Sequence, residues 1–100
     1  MAEPVTIRLA RQEGVESRTI DAALTADGRI TVTAQDIGPT AKALYGGSDY
    51  EFGIAIAPEH AARFALALIT DHYAGDADAV ARLRALAERA GIDPGFWVWT

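Results

Sequence analysis

Residues 20–34, IDAALTADGRITVTA, constrain the fold more than any other stretch of the chain. Ile20, Ala22 and Leu24 recur at every second position up to Asp27-Gly28, and Ile30, Val32 and Ala34 resume the same period beyond it. A period of two puts alternate side chains on one face of a strand, and Asp-Gly tolerates the positive φ of a type I′ turn. The stretch predicts a β-hairpin. Upstream, Val5, Ile7 and Leu9 alternate with Thr6 and Arg8 in a strand ending near Gln12, and Glu13-Gly14 supplies a turn. Together these segments predict three strands in an antiparallel meander.

The next segment, QDIGPTAKALYGGSDYEF at residues 35–52, interrupts the pattern. Gln35 and Asp36 end the third strand, Gly38-Pro39 turn the chain, Thr40 to Tyr45 form a short helix and Gly46-Gly47 end it. Tyr50, Phe52, Ile54 and Ile56 then alternate with Glu51, Gly53, Ala55 and Ala57, which predicts a fourth strand. Pro58 suits the first position of a helix, where its missing N–H is not needed. On that helix, running to about Tyr73, Phe64, Ala65, Leu68, Ile69 and His72 share one broad arc. Gly75 breaks the chain, Asp76 or Asp78 caps a further helix striped by Val80, Leu83, Leu86, Ala87 and Ala90, and Gly91 stops it. After an Asp93-Pro94-Gly95 turn, Phe96-Trp97-Val98-Trp99-Thr100 reads as a last short strand or an extended segment docked on the helices.

The order β-β-β-short α-β-α-α makes the fold class α+β: an antiparallel sheet of about four strands with two helices packed on one face. In that arrangement the Tyr50, Phe52, Ile54 and Ile56 face is expected to be buried against Phe64, Leu68 and Leu83. At 100 residues a single domain, 1–100, is expected, large enough to bury roughly two thirds of its unfolded surface. Half of the residues are hydrophobic, but 21 are alanine, so the few large apolar side chains belong in the core.

The chain has no cysteine, which excludes disulfides, thiolate catalysis and Cys-type metal sites and is compatible with a reducing compartment. Its first residues carry charges and no apolar h-region, and no segment approaches a membrane span, so a cytoplasmic location without membrane contact is expected. The net charge of −5 is concentrated in residues 36–78, where seven acids face only Lys42 and Arg63. An acidic middle argues against nucleic acid, which requires clustered Lys and Arg. It suits either a solubilising surface or a basic protein partner.

Candidate chemistry is sparse. His60 and His72 are twelve residues apart, about 18 Å along one helix, so they cannot share an ion. His72, inside the apolar arc, reads as partly buried and held by the last carbonyls of its helix. Asp49 and Glu51 share one strand face about 7 Å apart, a spacing that carboxylate pairs use in acid–base work. Nothing adjacent supplies a pocket or a raised pKa, and alternating acids on a solvent-facing strand serve solubility equally well. Ser17, Ser48 and the threonines have no neighbouring base, and GPTAKALYGG matches neither a Walker loop nor a dinucleotide fingerprint. No catalytic residue, metal ligand or cofactor is assigned.

Two features remain as binding candidates. Gln35, Asp36, Asp49 and Tyr50, with Glu51, gather where two strand ends meet, either as a hydrogen-bond set bracing the loop or as the edge of a small-molecule pocket. Trp97 and Trp99 would lie on one face of an extended segment; they either fill gaps in an alanine-rich core or anchor a partner or a homodimer seam.

At residues 27–52, DGRITVTAQDIGPTAKALYGGSDYEF, the chain resembles a pattern of small proteins of GC-rich bacteria: DGR or DGx, an alternating strand, Gly-Gln-Asp-Leu-Gly-Pro, a short helix, and Glu-Tyr-Glu-Tyr-like residues opening a strand. Asp27, Gly28, Gln35, Asp36, Gly38, Pro39, Tyr50 and Glu51 match it, Ala34 stands where Gly is usual, and Ile37 and Phe52 are conservative changes. The resemblance covers about a quarter of the chain. No activity is established for these proteins, so it implies a fold and no catalytic residue. The leading expectation is a non-enzymatic cytoplasmic interaction module, of the immunity or antitoxin type, that binds a basic partner through its acidic surface. A small-molecule binding domain or enzyme near Gln35, Asp36, Asp49 and Tyr50, and a homodimeric module sealed by Trp97 and Trp99, are the alternatives.

Overall fold

In the computed structural model, which describes residues 3–47 and 49–100 and the backbone alone of Tyr45, the class is α+β. Ser48 lies outside the described residues. Four strands, β1 (Val5–Gln12), β2 (Ser17–Leu24), β3 (Ile30–Ile37) and β4 (Asp49–Ile56), form an open antiparallel sheet in the order β1-β2-β3-β4. Helix α1 (Pro39–Tyr45) joins β3 to β4, and a 3₁₀ turn, Pro58–His60, leads into α2 (Ala61–Tyr73), followed by α3 (Ala79–Arg89). The chain divides into two units, Met1–Ala65 and Leu66–Thr100.

In the first unit, strand pairing sorts the side chains by parity. Arg18, Ile20, Ala22 and Leu24 of β2 lie opposite Asp36, Ala34, Val32 and Ile30 of β3, which lie opposite Tyr50, Phe52, Ile54 and Ile56 of β4. This face is apolar apart from its Arg18–Asp36 end. The other face carries Thr19, Asp21, Thr31, Thr33, Gln35, Asp49 and Glu51. Val5 and Ile7 join the apolar face opposite Leu24 and Ala22, but the register shifts between Arg8 and Ala10, leaving Leu9 as a bulge. The even alternation expected through Leu9 is therefore broken there, and Ala10 and Gln12 continue the face.

Burial follows position in the sheet. Ala34, on the inner strand β3, is buried, and so is Ala41 of α1, which rests on β3 and β4. Ile20, Val32 and Ile30 are half-buried. The burial expected of the β4 face is not realised at its centre: Phe52 is 42% and Ile54 54% exposed, because β4 is an edge strand with β3 on one side only.

The hairpin forms where Asp27-Gly28 places it, but not as a type I′ turn. Only Gly28 has positive φ, +87°, while Asp27 keeps a negative one, and the connection is five residues, Thr25–Arg29. The Gly28 N–H donates to the Thr25 carbonyl (2.9 Å), and the Arg29 N–H donates to Thr25 Oγ1 (3.0 Å). Thr25 also donates its hydroxyl proton to Asp27, which accepts from Arg29 Nε at 3.1 Å. These side-chain bonds fix the wider loop, since Thr and Asp bond nearby backbone groups that a two-residue turn would leave bare.

In the second unit no residue is buried. α3 is entered through Asp76, whose Oδ1 accepts the Asp78 N–H (2.8 Å) and whose Oδ2 lies 3.3 Å from Arg82 Nε. α3 ends in a Schellman motif: the Gly91 N–H donates to the Glu88 carbonyl (3.1 Å) and the Ile92 N–H to the Ala87 carbonyl (2.8 Å). The Gly95 N–H donates to Asp93 Oδ1 (2.9 Å), and Phe96 lies beneath the Arg84 guanidinium, 4.0 Å from Cζ to ring centroid. Residues 92–100 contain no strand.

Candidate functional site

The residues gathered at the β3–α1–β4 junction do not form one cluster. Strand alternation sends Gln35 and Asp36 to opposite faces. On the polar face Gln35 Nε2 donates to both Asp49 oxygens, at 3.0 and 3.2 Å, diagonally across the β3–β4 pair. Glu51 lies directly opposite Gln35 and is exposed. On the apolar face Asp36 accepts two hydrogen bonds from Arg18, Nε to Oδ1 at 2.5 Å and Nη2 to Oδ2 at 2.6 Å. Arg18 also stands over the Phe52 ring, 5.4 Å from its centroid, and Phe52 stacks on Tyr50 at 5.4 Å. The order is therefore Asp36, Arg18, Phe52, Tyr50, each touching the next.

The electrostatics of this chain of contacts are those of a structural ion pair. Hydrogen bonding from Arg18 is the main force holding the Asp36 carboxyl below the usual carboxylate range; desolvation opposes it, and the guanidinium charge adds a smaller lowering. The same bonds raise the Arg18 guanidinium. An acid–base catalyst needs a proton it can exchange near neutral pH, and an Asp pushed lower moves away from that condition.

Beside the pair is a cavity of about 330 Å³, lined by Gln12, Glu16, Ser17, Arg18, Asp36 and Thr40, with apolar walls from Ile37, Ala41 and Leu44. Its polar groups are largely engaged with one another. Glu16 Oε1 accepts both the Thr40 N–H, at 2.9 Å, and the Thr40 hydroxyl, so a carboxylate from the β1–β2 turn covers the start of α1. Gly38 permits the approach: with φ of +148°, a Cβ there would stand 2.8 Å from the Val15 carbonyl oxygen. Arg18, Glu16 and Thr40 were not among the residues expected at this site. Arg18 was legible, since the register that pairs Leu24 with Ile30 carries through to Arg18 opposite Asp36; Glu16 lies outside any strand and left no such signal.

Both histidines are exposed, and His72 meets Tyr73 edge to face at 4.7 Å, which corrects the partly buried position expected for it. Among the described residues no group of three His, Asp or Glu side chains is placed to hold a metal ion. Asp49 and Glu51 share a face as expected, with Asp49 engaged by Gln35.

Trp97 and Trp99 are among the most exposed large apolar residues of the chain. They are 77% and 87% exposed, so neither fills a gap in a core. The stretch leading to them is tied to α3 as far as Phe96, through the Schellman motif and the Phe96–Arg84 contact, with the Asp93–Gly95 turn between the two. Among the described residues no helix is long and apolar enough to cross a membrane. What fold and surface define is an open-sheet α+β chain that presents two tryptophans to solvent. No protein-family model, no curated protein and no solved structure matches it.

Proposed function

We propose that this chain is a non-enzymatic protein-interaction module of the cytoplasm, of the immunity or antitoxin type, which engages a basic protein partner. The observation that carries the reading is the exposure of Trp97 and Trp99 just beyond a stretch tied to α3 as far as Phe96. Tryptophan is costly to leave in water and is concentrated in the hot spots of interfaces. The acidity supports the sign of the partner. Of the seven acids in residues 36–78, Asp36 and Asp76 are ion-paired, whereas Asp49, Glu51, Glu59, Asp71 and Asp78 form no ion pair among the described residues.

Affinity capture from the native host, with wild-type chain and the Trp97→Ala/Trp99→Ala double variant at low and high salt, tests this. The expected result is a basic protein retained by the wild type, weakened by salt and lost from the double variant. Equal retention by both chains, or none by either at any salt, contradicts it.

A second reading, a small-molecule site at Arg18 and Asp36, is favoured by the cavity beside them. It requires a ligand able to displace the Arg18–Asp36 or Glu16–Thr40 bonds. Ligand-induced thermal shifts across a metabolite panel, abolished by Arg18→Ala, would bring this reading forward; a flat panel removes it.

A further inference from the structure

The two edges of the sheet are built differently. β1 carries the defences usual at an exposed edge: the bulge at Leu9, with the cations Arg8 and Arg11 on either side of it. β4 carries none along Phe52-Gly-Ile-Ala-Ile56, which is uncharged, free of proline and in unbroken register with β3. Strand β4 pairs with β3 alone among the described residues, so half of its backbone N–H and C=O groups face outward. Gly53, Ile54 and Ala55 are all exposed. An uncharged edge in unbroken register is a template for another strand.

We infer that β4 is a self-association edge, and that its occupant is β4 of a second copy of this chain, paired antiparallel about a two-fold axis at Ile54. The inference does not depend on the role proposed for Trp97 and Trp99. A two-fold axis perpendicular to the sheet keeps the apolar faces of both copies on one side, giving a continuous eight-stranded sheet. With the axis at Ile54, that residue faces its own counterpart, Phe52 faces Ile56, and Gly53 faces Ala55. Aromatic and β-branched residues opposite one another are the favoured cross-strand pairs. An axis one residue earlier would set glycine against glycine.

The charges select the same arrangement. The acids of β4, Asp49 and Glu51, lie at its first residues. Antiparallel pairing carries Glu51 past the uncharged Ile56 end of the second copy's β4 and keeps the two Glu51 carboxylates about 20 Å apart along the sheet. A parallel arrangement would bring like charges side by side, which is destabilising. Phe52 and Ile54, the exposed apolar side chains of this edge, become central in the joined sheet.

The absence of native cysteine makes the test direct. Residues facing across an antiparallel pair have Cα atoms about 4.5–5.5 Å apart, within disulfide reach. Sedimentation should give a two-chain mass for the wild type at high micromolar concentration. Mild oxidation should convert most of an Ile54→Cys variant to covalent dimer and leave Ile7→Cys, on the β1 edge, as monomer. Ile54→Lys should be monomeric with unchanged far-ultraviolet circular dichroism, and mixing it with Ile54→Glu should restore the two-chain species, which a misfolded variant could not do. A monomeric wild type, no cross-link at position 54, or equal cross-linking at positions 7 and 54 overturns the inference.

Discussion

Arg18 on β2 and Asp36 on β3 face each other across the sheet and share two parallel hydrogen bonds, 2.5 and 2.6 Å long, with the Phe52 ring on the other side of the guanidinium. The fork of Arg matches a carboxylate in this geometry, so the pair fixes register as well as charge. It stands at the polar end of an otherwise apolar face, where a slip of one residue would send Arg18 and Asp36 to opposite sides of the sheet.

Two carboxylates tie the stability of the fold to pH. Asp36 is held low by hydrogen bonds from Arg18, and Asp27 by the Thr25 hydroxyl first and by Arg29 second. Groups with depressed folded values bind fewer protons in the folded chain than in the unfolded one. Their contribution is fully present above the ordinary Asp value near 4 and is lost as pH falls through the lower folded values. The urea midpoint should therefore hold from neutral pH to about 5 and drop below about 4, less steeply in Asp36→Asn. An equally steep drop in Asp36→Asn would contradict this role.

Coupling between the two partners is a separate expectation. Arg18→Ala and Asp36→Ala should each lower the urea midpoint, with the double variant less affected than the sum of the singles, because the second change removes a group that has already lost its partner. Both side chains reach solvent, so the coupling should shrink as salt is raised. Additive effects at every salt concentration would show that the bonds contribute nothing.

Gly38→Ala should destabilise the chain by roughly 1–3 kcal/mol, since the backbone there lies in a region that disfavours side chains and the new methyl meets the Val15 carbonyl. Gly46→Ala has the strained φ, +83°, but open space around it, and should cost less. Thermal unfolding of the two variants side by side decides between crowding and conformation as the dominant penalty.

Glu16→Ala should loosen α1. Its carboxylate supplies the acceptor that Gly38, at the cap position, lacks, so removing it should cost about 0.5–2 kcal/mol, toward the low end for an exposed group. Hydrogen exchange should show the loss locally, at Thr40 and Ala41, with β2 and β3 unaffected. Uniform protection across α1 in the variant would deny Glu16 this function.

The elements were legible where one local rule governed them. Tyr50, Phe52, Ile54 and Ile56 alternate because β4 has two unlike faces, and Gly91 ends α3 as its position implied. What escaped depends on partners distant in sequence or on alternatives of similar energy. Leu9 has the spacing of a regular strand, yet it bulges. Asp27 tolerates positive φ, yet it bonds Thr25 and Arg29 in a wider loop instead. Gln35 and Asp36 are neighbours in the chain but separate into two sites, as alternation requires once both belong to β3. The exposure of Trp97 and Trp99 had no local signature, because the same aromatic pattern serves a core as well as an interface.

The interaction reading rests on those two tryptophans, and they are the only ones in the chain, so its intrinsic fluorescence reports on them alone. Acrylamide quenching of the free chain, and again after saturation with the captured partner, measures their access to solvent directly. Quenching close to that of a free indole is expected in the isolated chain, reduced several-fold in the complex and restored by salt that releases the partner. Tryptophans already shielded in the free chain, or equally accessible with the partner bound, would contradict it.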